Sequence, residues 1–175
     1  MPSTRCALAQ DLDLLVSIGR QTFFDTFTGT CSEEDMQLFL DTMHHPEKIA
    51  AELADPNCHF YLLEEDHSVI GYTRLWKDPA PLPIVRGQNP IELVRFYLIQ
   101  SAIGSGAAGH LMQATLKTAR LLGHDTIYLG VWEQNHRAKR FYTKWGFSPI
   151  GEHIFHVGND PQLDHWLERP LADLQ

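Results

Sequence analysis

Hydrophobic positions recur along this chain with two different periods, and the changes of period mark out its helices and strands. A short strand-like stretch over residues 4–8 comes first. Leu12, Leu15, Val16, Ile18, Phe23, Phe24 and Phe27 then follow helical spacing, with Asp11 as the expected N-cap. Ser32 followed three residues later by Asp35 has the form of a capping box, and it opens a helix carrying Met36, Phe39, Leu40 and Met43. Pro46 starts a third, short helix that ends near Ala54.

The period then shortens to that of strands over 59–63 and 68–76, with EEDH between them as an acidic hairpin turn. The segment 77–90 holds four of the ten prolines and reads as one long irregular loop, either a connector or the lining of a substrate cleft. The run over 91–99 is the most strand-like in the chain. A helix follows over 105–122, with Leu111, Thr115 and Leu122 or Ala108, Met112, Leu116 and Ala119 on its buried stripe and Gly123 at its end. A strand over 126–132 leads to Asn135, which caps a helix whose Ala138, Phe141, Tyr142 and Trp145 recur at i, i+3, i+4 and i+7. Two more strands, 148–157 and 162–169, flank the turn GNDP.

Composition narrows the function classes. The 175 residues make about one domain by the usual prior, and no apolar run reaches the ~20 residues that span a bilayer. The opening MPSTRCALAQDLD lacks the apolar core of a signal peptide. Cys6, Cys31 and Cys58 are widely spaced and form no CxxC, so neither a disulfide framework nor a structural metal site is expected, and a reducing cytoplasmic setting fits. The ten histidines include no HExxH, and the adjacent His44 and His45 point about 100° apart on a helix, so no metal is expected. The net charge is -8, and Lys plus Arg against Asp plus Glu stands at 6 to 14 over 1–90 and 8 to 8 over 91–175. Such a surface argues against a nucleic-acid partner and would steer a cationic one inward; a merely soluble acidic surface is the plainer reading.

Candidate chemistry concentrates between Ile91 and Phe147. Gly104, Gly106 and Gly109 fit GxGxxG between a strand and a helix, where bare N–H groups can meet a phosphate. A dinucleotide site would also need an acidic residue at the end of the next strand, and Asp125 precedes that strand instead. The whole stretch resembles the core of the GNAT superfamily, the Gcn5-related N-acetyltransferases. Ile103, Gly104, Ser105, Gly106, Ala107 and Ala108 follow the strand ELVRFYL as that family's Q/R-x-x-G-x-G/A turn does, with Ile103 where Gln or Arg is usual. Asn135, Ala138, Phe141, Tyr142, Gly146 and Phe147 reproduce its N-x-x-A-x-x-F-Y-x-x-x-G-F signature.

The resemblance implies a single domain over 1–175, an α/β fold with a mixed, mostly antiparallel sheet of six or seven strands flanked by helices, and a splayed central strand. It implies acetyl-CoA as cosubstrate and direct attack by an amine in a ternary complex. A bulge near 96–100 would free backbone groups for the pantetheine arm, with the Leu98 N–H facing the thioester oxygen and Gln100 beside it. The turn residues 103–108, Asn135 and Phe141 would hold the cofactor, Tyr142 would protonate the departing thiolate, and Glu92 would act as base or be a solvated strand-end charge. The basic cluster Arg137, Lys139, Arg140 and Lys144 would lie partly near the cofactor phosphates or be an ordinary solvated face. The acidic first half, the helix pair before Pro56 and Glu92 look most like the branch acting on polyamines and other small amines. A protein or peptide acceptor and a non-catalytic acyl-CoA-binding module are the alternatives, and a homodimer is compatible with each.

Overall fold

The computed structural model describes residues 1–171. A seven-stranded sheet runs in the order β1-β2-β3-β4-β5-β7-β6. Its strands are β1 (Ser3–Cys6), β2 (Cys58–Glu65), β3 (Ser68–Trp76), β4 (Pro90–Leu98), β5 (Thr126–Trp132), β6 (Ser148–Val157) and β7 (Asp160–Pro170). The helices are α1 (Leu12–Phe27), α2 (Glu33–Met43), α3 (Pro46–Ala54), α4 (Ala107–Leu121) and α5 (His136–Lys144). Every neighbouring pair of strands is antiparallel except β4 with β5, which are parallel and joined through α4.

The alternation of side chains across β2 divides the core. Leu62 packs with Leu15 and Ile18 of α1 and Ile49 of α3, while its neighbour Leu63 packs on the opposite face with Ala107 and Leu111 of α4. Met112, Leu116 and Ala119 carry α4 onto Leu75, Ile91 and Ile127, and Tyr142 of α5 joins the same cluster. Local signals act as their chemistry requires. The Ser32 hydroxyl accepts from Asp35 N–H at 3.0 Å and opens α2, and Asn135 accepts from Ala138 N–H at 3.1 Å and opens α5. Asp66 and His67 take positive φ (49° and 65°) in the two-residue turn between β2 and β3.

Two expectations need correction. Asp11 stands at the start of α1 but makes no side-chain cap; its carboxylate binds the Arg5 guanidinium through two bonds of 2.7 and 2.8 Å and accepts from Leu8 N–H. The bulge in β4 lies earlier than 96–100. Arg74 pairs with Arg95 and Leu75 with Leu93, so Val94 is the extra residue. Leu93 before the bulge and Phe96 after it therefore face the same core, and Arg95 and Tyr97 turn to the α1 and α3 side. The long loop docks at the other end of the sheet: Arg86 N–H bonds Glu168, and Gln88 and Asn89 N–H both bond Asp125. Asp125 is thus a loop anchor.

Candidate active site

The parallel pairing of β4 with β5 covers only Pro90, Ile91 and Glu92 against Thr126, Ile127 and Tyr128. Beyond the bulge the two strands part. A cleft of about 520 Å³ occupies the gap, walled by Leu93 to Leu98 on one side and Gly130 to Trp132 on the other, Arg95 excepted. Because Ile99 N–H donates to Ile70 O of β3, the N–H of Leu98 points the other way, toward the side that β5 has vacated. A strand edge is thereby left unpaired inside the protein, as a template for an extended ligand.

The glycine turn closes one end. Gly104 and Gly106 have φ of 86° and 94°, a region that side-chain-bearing residues avoid, and a Cβ at either would meet only open space. The Ser105 hydroxyl donates to Ala102 O at 2.8 Å and accepts from Ala107 N–H at 3.3 Å, which holds the turn from within. Among the described residues the N–H groups of Gly104, Gly106 and Ala108 meet no internal acceptor. They stand at the start of the 15-residue α4, where the helix dipole also favours an anion. Ile103 is 37% exposed on the cleft wall and contributes no polar atom.

Of the residues expected in the site, Leu98, Ile103, Gly104, Gly106, Ala108, Asn135, Phe141 and Tyr142 line this one cleft. Ser105 and Ala107 support the turn from behind, and Gln100 is exposed in a short 3-10 turn off the cleft. Glu92 does not line it either. It sits where β4 and β5 are still paired, opposite Tyr128, and burial pushes its carboxyl pKa up. Tyr142 is 8% exposed, packed edge-on against Phe147, and burial pushes its phenol well above the usual value with no hydrogen bond to oppose it. Of the basic cluster, Arg137 alone reaches the wall.

Sequence reasoning missed the other end of the cleft. Phe23, Thr26 and Phe27 come from α1, Tyr97 from β4, Trp132 from β5, Phe155 from β6 and Asp164 from β7. Phe27 meets Trp132 at 5.8 Å and Phe23 meets Tyr97 at 6.5 Å between ring centroids. The Asp164 carboxyl is held at a pKa of about 6 by burial. The nearest cation-forming group is His153 Nε2 at 3.9 Å, and burial keeps that imidazole neutral at pH 7 by lowering its own pKa. The aromatic positions of α1 were legible as a stripe, but nothing local tied them to a strand more than 130 residues away.

Comparison with known proteins bears on the same features. The model of the acetyltransferase (GNAT) family matches residues 20–147, which include the second half of α1, the turn, α4 and α5. An uncharacterised N-acetyltransferase encoded in the pepI 3' region of Lactobacillus delbrueckii subsp. lactis is 36% identical over 163 residues, covering 93% of this chain and 94% of its own. The PaiA N-acetyltransferase of Thermoplasma acidophilum, solved in complex with coenzyme A, superposes with a TM-score of 0.75 at 21% identity over 97% of this chain and 99% of that one. The yncA structure of Salmonella typhimurium, solved with acetyl-CoA, gives 0.68 at 15% identity over 100% and 96% of the two chains.

Proposed function

The chain belongs to the GNAT family of acetyltransferases, and from that premise we propose that it moves an acetyl group from acetyl-CoA to the primary amine of a small cationic molecule. The observation that carries the reading is the gap between β4 and β5 with an open glycine turn at its end. The cleft is a walled space of about 520 Å³, which suits a small acceptor better than the open groove a protein acceptor needs. The acidic first half of the chain adds long-range attraction for a cation.

Acetyl-CoA, when bound, supplies an activated thioester carbonyl. The residues present fit it. The free N–H groups of Gly104, Gly106 and Ala108 suit the pyrophosphate, and the unpaired edge of β4 suits the amides of the pantetheine arm. The Leu98 N–H is the donor aimed at the developing oxyanion, a contact worth about 3 kcal/mol where such donors have been removed from enzymes. Ile103 leaves the phosphate contacts to the backbone alone. Asn135 opens α5 and so fixes the phase at which Tyr142 meets the cleft. Tyr142 keeps its proton at neutral pH because burial raises its pKa, and it is the donor to the departing sulfur. None of the three cysteines lines the cleft, which favours direct attack over a covalent acetyl-cysteine.

The test is free-thiol release from acetyl-CoA with a panel of small amines, amino acids and peptides. Turnover with amines is expected. Coenzyme A binding without thiol release from any acceptor would instead identify a binding module.

A further inference from the structure

The acceptor end of the cleft holds a charge that the fold does not need. Asp164 is only 9% exposed and lies above Gly130, where a Cβ would come within 3.4 Å of its Oδ2. A carboxylate that is buried and unpaired costs several kcal/mol, and proteins rarely retain one without a partner. Elsewhere this molecule supplies partners: Asp11 has Arg5 and Leu8 N–H, and Glu52 has Arg95 and Arg74. Among the described residues Asp164 has only the neutral His153, itself stacked on Trp166 at 3.9 Å, and its open direction is the cleft.

We propose that Asp164 binds the acceptor's ammonium and takes its proton, and that Phe27, Tyr97, Trp132 and Phe155 select an acceptor carrying one amine on an apolar or aromatic body. This rests on the acetyl-transfer reading above. One carboxylate neutralises one ammonium. A second ammonium in the pocket would lose its hydration with no counter-charge, and cation–π attraction offsets only part of that cost. An aliphatic or aromatic body loses nothing polar there and gains the burial of its surface.

The proton balance is simple. The ammonium proton passes to an Asp164 carboxylate oxygen, and the nitrogen lone pair forms the new C–N bond as the C–S bond of the donor breaks. Tyr142 O–H protonates the leaving sulfur. The amide nitrogen loses its remaining extra proton to solvent, Asp164 releases the one it took, and Tyr142 is reprotonated from solvent, so one proton is released per turnover.

The charged or titratable groups facing Asp164 are few. His153 approaches from β6 and Tyr97 from β4, and Arg137 and Tyr142 line the same cleft from α5. β5 presents Gly130 and Trp132 and α1 presents Phe23, Thr26 and Phe27, none of which titrates. Burial lowers the His153 pKa and raises that of Tyr97, while the Asp164 carboxyl, which opens onto the cleft, is raised to about 6.

The test compares phenethylamine, hexylamine and spermidine as acceptors for the wild-type chain and for Asp164→Asn. In the wild type, kcat/KM for the two monoamines should exceed that for spermidine about 10-fold or more, and should rise with pH through about 6. Asp164→Asn should lower kcat/KM for phenethylamine about 100-fold at pH 8, leave KM for acetyl-CoA unchanged and abolish the limb near pH 6. Calorimetry of phenethylamine with each protein gives a second readout, with binding at least about 10-fold weaker in the variant. Equal rates and an unchanged pH profile in Asp164→Asn, or a preference for spermidine, overturn this inference and leave acetyl transfer standing. Absence of thiol release with every amine overturns both.

Discussion

Glu52 and Asp164 are buried to nearly the same extent, at 8% and 9% exposure, yet they are opposite kinds of carboxylate. Glu52 of α3 is bonded to Arg95 at 2.6 and 3.3 Å, lies 3.6 Å from Arg74 Nε and is reached by Lys48 at 3.6 Å. It ties a helix to β3 and β4 and has no free direction. Among the described residues Asp164 has no bonded partner, and it opens onto the cleft. The difference teaches how to read these two buried carboxylates: the one held by guanidinium groups belongs to the scaffold, and the one left open on the cleft is available to a ligand.

The most severe way to break that contrast is to remove the partnered carboxylate. Glu52→Gln leaves the Arg95 guanidinium buried without a counter-charge, so unfolding should become about 3 to 5 kcal/mol easier, read as a fall in Tm of about 10 °C. Turnover of the folded fraction below that temperature should be unaffected. The converse change is Tyr142→Phe, which removes an unpartnered hydroxyl. It should lower kcat about 100-fold, equivalent to about 3 kcal/mol of barrier, with Tm within about 2 °C of the parent. A rate equal to the parent's at neutral pH would remove Tyr142 from the mechanism.

Asp164→Asn sharpens the contrast through stability instead of rate. The folded-state pKa of about 6 lies above the ordinary 3.8, so folding favours the protonated form. The resulting penalty is absent below about pH 4, grows as pH rises through the window up to about 6 and is full at neutral pH. The variant should therefore be more stable than the parent at pH 7, by about 1 to 2 kcal/mol, with the gain vanishing in thermal melts at pH 4. Asn135 straddles the two classes, since it lines the cleft and is also bonded. Asn135→Ala should cost about 1 kcal/mol of stability through the lost cap, with a smaller effect on kcat than Tyr142→Phe.

Much of the scaffold was legible in the sequence because its signals are local. Proline at 46 and the apolar alternation over 126–132 and 148–157 place their elements where the structure has them. The glycine turn and the Asn135 helix could be read together for the same reason. Three things were not legible. Val94 is one extra residue in a continuous apolar strand, and its effect appears only against the register of β3. Asp11 has the composition of a helix cap, but the Arg5 guanidinium outcompetes the helix for its carboxylate. Asp164 looks like an ordinary charge in a hairpin until β7 is known to pair with β5, which brings it opposite Trp132.

The order of the sheet also has a consequence during synthesis. β7 inserts between β5 and β6, so on a ribosome the edge of β5 emerges and waits through α5 and β6 before its partner is made. Throughout that interval the nascent chain carries an exposed strand edge of apolar Ile127, Leu129 and Val131, a template for pairing with another chain. The last hairpin is therefore both the cover of that edge and the carrier of Asp164. A slow or mispaired β7 would yield a protein that aggregates before it could ever be assayed.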